Sequence, residues 1–243
     1  MSNYRTYTAD DKMIELICEN YHLLLVMSRF GLSMGFGDKT VKEVCETHEV
    51  DTNTFLAIVN FLQEGHSQII DSPEKLSVLS LMDYLKQSHL YFLNFNLPTI
   101  RRKLMEAIDC SREDGIAYLI LKFYDEYVHE VRRHMEYEDK YVFTYVNELL
   151  AGQKRENYKI EVFSRKHSQI EEKLSELKNI IIKYYNADAS NLLNAALFDI
   201  FTCEEELLSH NMVEDYLFVP AVLHLENQIL INQEEGNKKG GAE

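Results

Sequence analysis

The sequence predicts an all-α protein, built as an up-down-up-down four-helix bundle that is preceded by a small helical N-terminal domain. The 243 residues include only three prolines and nine glycines, too few for the closely spaced turns of a β-sandwich or barrel. Long stretches are instead rich in Leu, Glu and Lys, which favour helix. The links between the four longest stretches are short, and short links place consecutive helices antiparallel.

The N-terminal domain is predicted to cover residues 1–72. Its first helix is expected to begin at a cap on Thr8 and to run through Met27, with apolar residues along one face. A glycine-containing segment then ends this helix. Two short helices follow, Thr40–His48 and Thr52–Gln63, and their tight link resembles that of a helix-turn-helix.

Charge argues against nucleic acid as the partner of this domain. Residues 1–72 carry 5 Lys and Arg against 11 Asp and Glu, and the whole chain has a net charge of −15. Nucleic acids and anionic membranes attract clusters of Lys and Arg. We therefore predict a helical docking module, with no nucleic-acid partner and no membrane partner.

A helix-start signature, Asp71-Ser72-Pro73-Glu74, marks the predicted boundary between the N-terminal domain and the bundle. Ser72 is the expected cap, and Pro73 stands in the first turn, where its missing N–H has no helical partner to lose. The bundle is predicted to cover residues 73–232.

Within the bundle, Pro98 is expected to kink or interrupt the first helix. The tail at 233–243 is rich in Gly, Lys and Glu and is predicted to be disordered. The four helices are expected at about 73–107, 113–150, 154–186 and 189–231.

The expected location is the cytoplasm. The chain opens on polar residues, without the basic and apolar start of a secretory signal. No segment approaches the roughly 18 uninterrupted apolar residues of a membrane span. The four cysteines show no Cys-x-x-Cys spacing, which fits a reducing compartment.

One pattern occurs twice, on the second and fourth predicted bundle helices. Each copy reads Glu-x-x-x-His-x-x-x-Glu-Asp, first at Glu130–Asp139 and again at Glu206–Asp215. A spacing of four places His134 above Glu138, and His210 above Glu214, on one helix face. Imidazole nitrogen and carboxylate oxygen presented together suit iron or manganese.

The other two bundle helices each provide one candidate histidine, His89 and His167. His134 follows His89 by 45 residues, and His210 follows His167 by 43. Near-equal separations bring the two histidines of an antiparallel pair to similar depth. The chain is thus interpreted as a doubled two-helix unit, in which each half gives a lone His and a His-x-x-x-Glu.

Four nitrogens and two carboxylates suit two metal ions. Each ion would take two histidines, and both would share the bridging glutamates. An oxygen bridge between the ions would make each five-coordinate and leave a position for a small ligand.

This pattern resembles the haemerythrin-like superfamily, and most closely its repair-of-iron-centres branch, over about residues 80–222. The resemblance implies a non-haem centre of two iron ions, oxo-bridged, in a helical bundle. It also implies the metal ligands, which are His89, His134, Glu138, His167, His210 and Glu214.

Two departures from the family patterns bear on function. The oxygen-carrying haemerythrins have a second histidine where this chain has Glu171, and they use a later Asp where it has Glu214. Both differences point away from oxygen carriage. The repair branch has adjacent cysteines before a glycine-rich turn, whereas this chain reads Gly35-Phe36-Gly37-Asp38 there with a lone Cys45. Any role of that cysteine pair does not carry over.

The resemblance implies protection or repair of iron–sulfur and other iron centres under nitrosative or oxidative stress, by iron donation or by binding and reducing NO. The implied partners are O₂ or NO and iron–sulfur proteins. An alternative is an O₂ or NO sensor or reservoir that signals through the N-terminal domain, and another is an oxidase or peroxidase. Whether the chain is an enzyme, which metal it holds and its oligomeric state stay open.

Three further carboxylates have two interpretations each. Glu130 and Glu206 are either hydrogen-bond partners or proton relays of the ligand histidines, or ordinary helix carboxylates. Glu171 is considered as an extra ligand, but the predicted set of six does not include it. The tyrosines near His134 are interpreted as bundle core and not as redox groups; they are Tyr127, Tyr137, Tyr141 and Tyr145.

Overall fold

The computed structural model describes residues 5–63, 73–108, 115–153, 159–160, 168–186 and 190–240, with the backbone alone at 168–171 and 232–240. In these segments the regular structure is helical, apart from an isolated bridge between Lys12 and Thr40. The predicted all-α class is confirmed. No helix of the described segments is both long and apolar enough to cross a bilayer.

The N-terminal part begins with helices α1 (Met13–Glu19), α2 (Leu23–Arg29), α3 (Val41–Thr47) and α4 (Thr52–Gln63). A reciprocal cap starts α3 where the sequence predicts it. The Thr40 hydroxyl accepts the Glu43 N–H at 3.2 Å, and the Glu43 carboxylate accepts the Thr40 N–H at 2.7 Å.

The prediction of one helix from Thr8 through Met27 is wrong, because the chain breaks at Asn20. Asn20 has extended backbone (φ −145°), and its side chain accepts the His22 N–H at 3.1 Å. Such short polar side chains offer the backbone an alternative to helical hydrogen bonds. Thr8 donates its N–H and its hydroxyl to the Asp11 carboxylate, at 2.6 and 2.9 Å, and so starts a turn ahead of α1.

Three of the predicted bundle helices contain a π-helical turn. The α-helices on either side of these turns are α5 (Val78–Tyr91) and α6 (Leu97–Ala107), α7 (Ile116–Tyr137) and α8 (Phe143–Leu150), and α10 (Asn191–Val213) and α11 (Val219–Gly240). The π turns are Phe92–Asn96, Glu138–Val142 and Glu214–Phe218. The other bundle helix is α9 (Ser168–Tyr184).

Prolines follow two of the π turns at the same distance. Pro98 and Pro220 each stand two residues after the turn ends. A proline has no N–H to donate to the carbonyl four residues earlier, as a regular α-helix requires. In a π turn, each N–H donates instead to the carbonyl five residues earlier. Accordingly, the Leu97 N–H donates to the Phe92 carbonyl, and the Val219 N–H donates to the Glu214 carbonyl. As predicted, the regular α-helix is interrupted near Pro98, by the π turn, and the chain then continues as helix α6.

Several predicted boundaries lie outside the described residues. These are Ser72, the link at 110–112, most of the link at 186–188 and the beginning of the third bundle helix, so the domain boundary stays a prediction. The end of α8 is described. Gly152, at φ +76°, donates its N–H to the Leu149 carbonyl at 2.8 Å, a left-handed helix end that favours glycine.

The last helix differs from the prediction. It continues to Gly240, so that residues 233–240 are helical where disorder is expected from the sequence. Gln, Glu and Lys are good helix formers, and no proline interrupts this stretch.

The chain divides into two compact units. One comprises Met1–Gln87, Phe143–Val162 and Met212–Glu243, and the other comprises Ser88–Val142 and Phe163–Asn211. In the first unit, the buried Glu226 carboxylate accepts the Tyr145 hydroxyl at 2.7 Å and the Ile160 N–H at 3.2 Å. In the second unit, α6, α7, α9 and α10 bury one shared apolar core, which includes Ile100, Tyr124, Leu177 and Ile200.

Candidate metal centre

The Glu138 carboxylate lies between two histidines. Its Oε2 is 3.1 Å from Nε2 of His89, and its Oε1 is 2.8 Å from Nε2 of His134. His134 and Glu138 are one turn apart on a single helix, as their spacing predicts. His89 comes from a different helix, three residues before a π turn. Each oxygen of this carboxylate therefore faces a separate imidazole.

His210 and Glu214 complete a buried group. The His210 ring lies 5.1 Å from the His89 ring and 5.9 Å from the Phe92 ring, centroid to centroid. His89, Glu138, His210 and Glu214 each offer a ligand atom, and these atoms all lie within 4.8 Å of one another. All four side chains are at most 1 % exposed.

The chemistry of this donor set fits a metal ion. Removing two carboxylates from water costs several kcal/mol each unless a cation or hydrogen-bond donors compensate. Glu226, a buried carboxylate elsewhere, has a hydroxyl and a backbone N–H as donors, whereas Glu138 has imidazoles around it. Imidazole nitrogens with carboxylate oxygens are the ligands of iron, manganese and zinc. A cation among these four residues would neutralise the carboxylates and use the nitrogens.

Residues 80–222 match the Hemerythrin HHE cation binding domain. The match covers more than half of the chain and contains every predicted ligand. The chain belongs to this family. No curated protein matches the sequence.

The structure brings together five of the six ligands predicted for this haemerythrin-like centre. His134 is 10 % exposed and contacts the Glu138 oxygen that His89 does not. His167 lies outside the described residues, and so does the Glu171 side chain. The assignment of six metal ligands stays a prediction, since the contacts describe proximity and not coordination.

Asp139 is a member of the site to which the sequence assigned no role. Its Oδ1 lies 2.8 Å from Nδ1 of His89, and its side chain is 45 % exposed. A carboxylate on one imidazole nitrogen fixes the ring and directs the other nitrogen toward a metal. The repeated Glu-Asp pair was the available signal, because Asp215 occupies the same place in the second copy of the pattern.

The structure separates Glu130 from Glu206, which the sequence treats alike. Glu130 forms an ion pair with Lys173 of α9, and both side chains are about one-third exposed. This favours the ordinary structural interpretation of Glu130. Glu206 is 6 % exposed, one turn before His210.

The π turns are also part of the site. Glu138 and Glu214 are the first residues of their turns, and His89 lies three residues before the π turn at Phe92–Asn96. A π turn contains an additional residue, so the residues after it point in a different direction from those of a regular helix. Such turns are frequent at functional sites.

Proposed function

We propose that this chain is a non-haem di-iron protein that protects or repairs iron–sulfur and other iron centres under nitrosative or oxidative stress. The observation that carries the proposal is the position of Glu138 between His89 and His134. A carboxylate with one oxygen toward each of two imidazoles is arranged to bridge two ions.

The six ligands would be shared between two ions. His89 and His210, whose ring centroids lie 5.1 Å apart, would hold one iron, and His134 would hold the other together with His167. Glu138 and Glu214 would bridge the two. An oxo group would be the third bridge. When bound, the two irons supply electrons and a position for NO or O₂.

The chain's own residues would exclude water and keep the ligands in place. Burial of His89, Glu138, His210 and Glu214 lowers the local dielectric, which strengthens the attraction between carboxylate and cation. Asp139 would keep Nε2 of His89 directed toward the iron. The partners proposed here are NO or O₂ and an iron–sulfur protein that receives iron, and the proposed location is the cytoplasm.

The test combines metal content with iron transfer. Aerobically purified protein should contain about two irons per chain and show the near-ultraviolet absorption of an oxo-bridged pair. The loaded protein should restore the cluster of an iron–sulfur protein damaged by NO, and a chelator that traps only free iron should not stop it. One metal per chain, or zinc alone after growth with ample iron, would contradict the di-iron centre. A loaded protein that transfers no iron would contradict repair.

A second candidate function is a sensor of NO or O₂ that signals through the N-terminal helices. The observation that favours it is a contact between α4 and the π turn that begins at Glu214. The Phe61 ring lies 6.0 Å from the Tyr216 ring, and Tyr216 is two residues after Glu214. A change at Glu214 would therefore reach α4 through one aromatic contact.

Hydrogen exchange separates the two functions. A sensor should change the exchange of α4 amides when NO is added to the iron-loaded protein, and Phe61→Ala should abolish that change. Phe55→Ala, which removes a buried aromatic ring of the same helix that packs edge-to-face against Phe30, is the control for simple loosening. Unchanged exchange in α4 on NO binding would contradict sensing by this route.

A further inference from the structure

A tyrosine and a cysteine are buried side by side in the bundle core, two helical turns from the candidate metal centre. Tyr127 and Cys203 are each 0 % exposed, and the Tyr127 hydroxyl lies next to the Cys203 thiol. Tyr127 is seven residues before His134 on α7, and Cys203 is seven residues before His210 on α10. Seven residues are two helical turns, so each side chain lies about 10 Å along the same face from its histidine.

The Tyr127 hydroxyl is unusual among the buried tyrosines. Tyr124 donates to the Leu97 carbonyl at 2.8 Å, and Tyr145 donates to Glu226 at 2.7 Å. Within the described part of the chain, no nitrogen or oxygen accepts from Tyr127, and a thiol is only a weak acceptor. A buried hydroxyl with only a weak acceptor costs free energy that a phenylalanine at this position would not.

A carboxylate lies between this pair and the ligand histidine. Glu206 is 6 % exposed, three residues after Cys203 and four before His210, and both spacings make neighbours on a helix. Its charge acts on the Cys203 thiol. Hydroxyl, thiol and carboxylate thus form a chain of groups that leads from Tyr127 toward the centre.

We propose that Tyr127, with Cys203 beside it, is an internal one-electron donor to the metal centre. This inference rests on the proposed di-iron function and adds a redox residue to it. Burial raises the pKa of Tyr127 well above its ordinary value, with the nearby Cys203 adding to the effect. The hydroxyl therefore keeps its proton at neutral pH, so loss of an electron would be accompanied by loss of that proton.

The step balances with peroxide as the oxidant. Hydrogen peroxide becomes two waters by taking two electrons and two protons. The loaded centre would supply one electron, with one Fe²⁺ oxidised to Fe³⁺, and Tyr127 supplies the other. The Tyr127 O–H bond breaks, its proton passes by Cys203 to Glu206 and from there to the peroxide, and a neutral tyrosyl radical remains. The second proton comes from solvent.

The test follows the radical directly. Iron-loaded protein with one ferrous ion per chain is mixed with hydrogen peroxide, frozen within a second and examined by electron paramagnetic resonance. The wild type should give an organic-radical signal that narrows when the protein is grown on ring-deuterated tyrosine. Tyr127→Phe should lose the signal and keep the iron content and optical spectrum. Tyr124→Phe, a control one turn away on the same helix, should retain it.

Each result decides one claim. A signal that persists in Tyr127→Phe, or its absence from the iron-loaded wild type, would overturn this inference while leaving the di-iron centre standing. Absence of iron from wild type and variants alike would overturn the centre and the donor together. Cys203→Ala should keep its iron and form the radical more slowly, whereas an unchanged rate would remove Cys203 from the proton path.

Discussion

Glu138 differs from the other acidic residues of its helix in having a histidine at each oxygen. Replacing it with alanine should remove a ligand from both ions, so most iron and the coupling between the ions should be lost together. Glu130→Ala is the matched control, because Glu130 lies two turns earlier on α7 and pairs with Lys173. Iron per chain after desalting, with the near-ultraviolet spectrum, measures the effect. Equal iron in the two variants would contradict a bridging role for Glu138.

Asp139 should affect the affinity of the site for iron and not the number of irons bound. Its hydrogen bond to Nδ1 of His89 sets the direction of the ring, and loss of such a partner weakens metal sites by roughly 10–100-fold. Asp139→Asn should therefore still bind two irons but release them to a chelator at lower concentration. Asp125→Asn, which alters a surface ion pair with Arg101, should leave the competition curve unchanged. A shift of the same size in both variants would argue against this role for Asp139.

The sequence was sufficient for some of these contacts and not for others. The contact of His134 with Glu138 follows from a spacing of four on one helix, so it is a local property of the chain. The contact of His89 with Asp139 joins residues 50 positions apart and depends on how two helices pack. The difference between Glu130 and Glu206 also depends on packing, because Lys173 comes from another helix.

At the scale of elements, the positions of most helices could be predicted from the sequence, but the irregular turns within them could not. The capped start at Thr40 was predicted because a cap residue acts on its own helix. The π turns were not predicted, although Pro98 and Pro220 gave a partial signal for two of them. The turn at Glu138–Val142 has no such proline after it, and nothing local in the sequence distinguishes it from regular helix.

The cap at Thr40 gives a prediction for α3. Thr40→Ala removes the acceptor of the Glu43 N–H, and the loss of such caps costs about 1 kcal/mol. Amides of α3 should then exchange faster by about fivefold at that cost. Thr47→Ala, which removes a hydroxyl at the other end of α3, should change exchange much less. Equally faster amide exchange in both variants would contradict a stabilising role for the Thr40 cap.

The same cap should make α3 sensitive to acid. The Thr40 backbone N–H and then its hydroxyl lower the pKa of Glu43 below its ordinary value. A carboxyl with a lowered folded pKa stabilises above its unfolded pKa, and the contribution is lost as pH falls through the folded pKa. Protection of α3 should therefore decline as pH falls from about 5 toward 3. The decline should be smaller in Thr40→Ala, which lacks the hydroxyl, and an identical decline would contradict this origin.

At the scale of the whole molecule, the apolar core and the candidate metal centre use different residues. The core of the second unit consists of apolar side chains of α6, α7, α9 and α10, and their burial supplies stability without any ion. The centre adds buried carboxylates and imidazoles whose placement is favourable only with a cation among them. Metal and fold should therefore be linked but separable.

This separation predicts how the protein responds to loss of iron. An ion that binds only the native arrangement stabilises it by mass action, so chelation should lower the melting temperature by several degrees. Helical content at low temperature should stay near its starting value, since the core does not contain the ligands. The measurement is circular dichroism on heating, with and without iron, and Glu138→Ala should melt at one temperature under both conditions.

The gap between the two melting temperatures should widen as pH rises from about 6 to 8. Protons compete with metal for imidazole nitrogen and carboxylate oxygen, so binding strengthens as they leave, and the stabilisation that binding adds grows with it. The melting temperature of the iron-loaded protein should change more with pH than that of the chelated protein. Complete unfolding on chelation would mean that the ions hold the bundle together, as in a zinc finger. Identical curves with and without iron would contradict a buried metal centre at these residues.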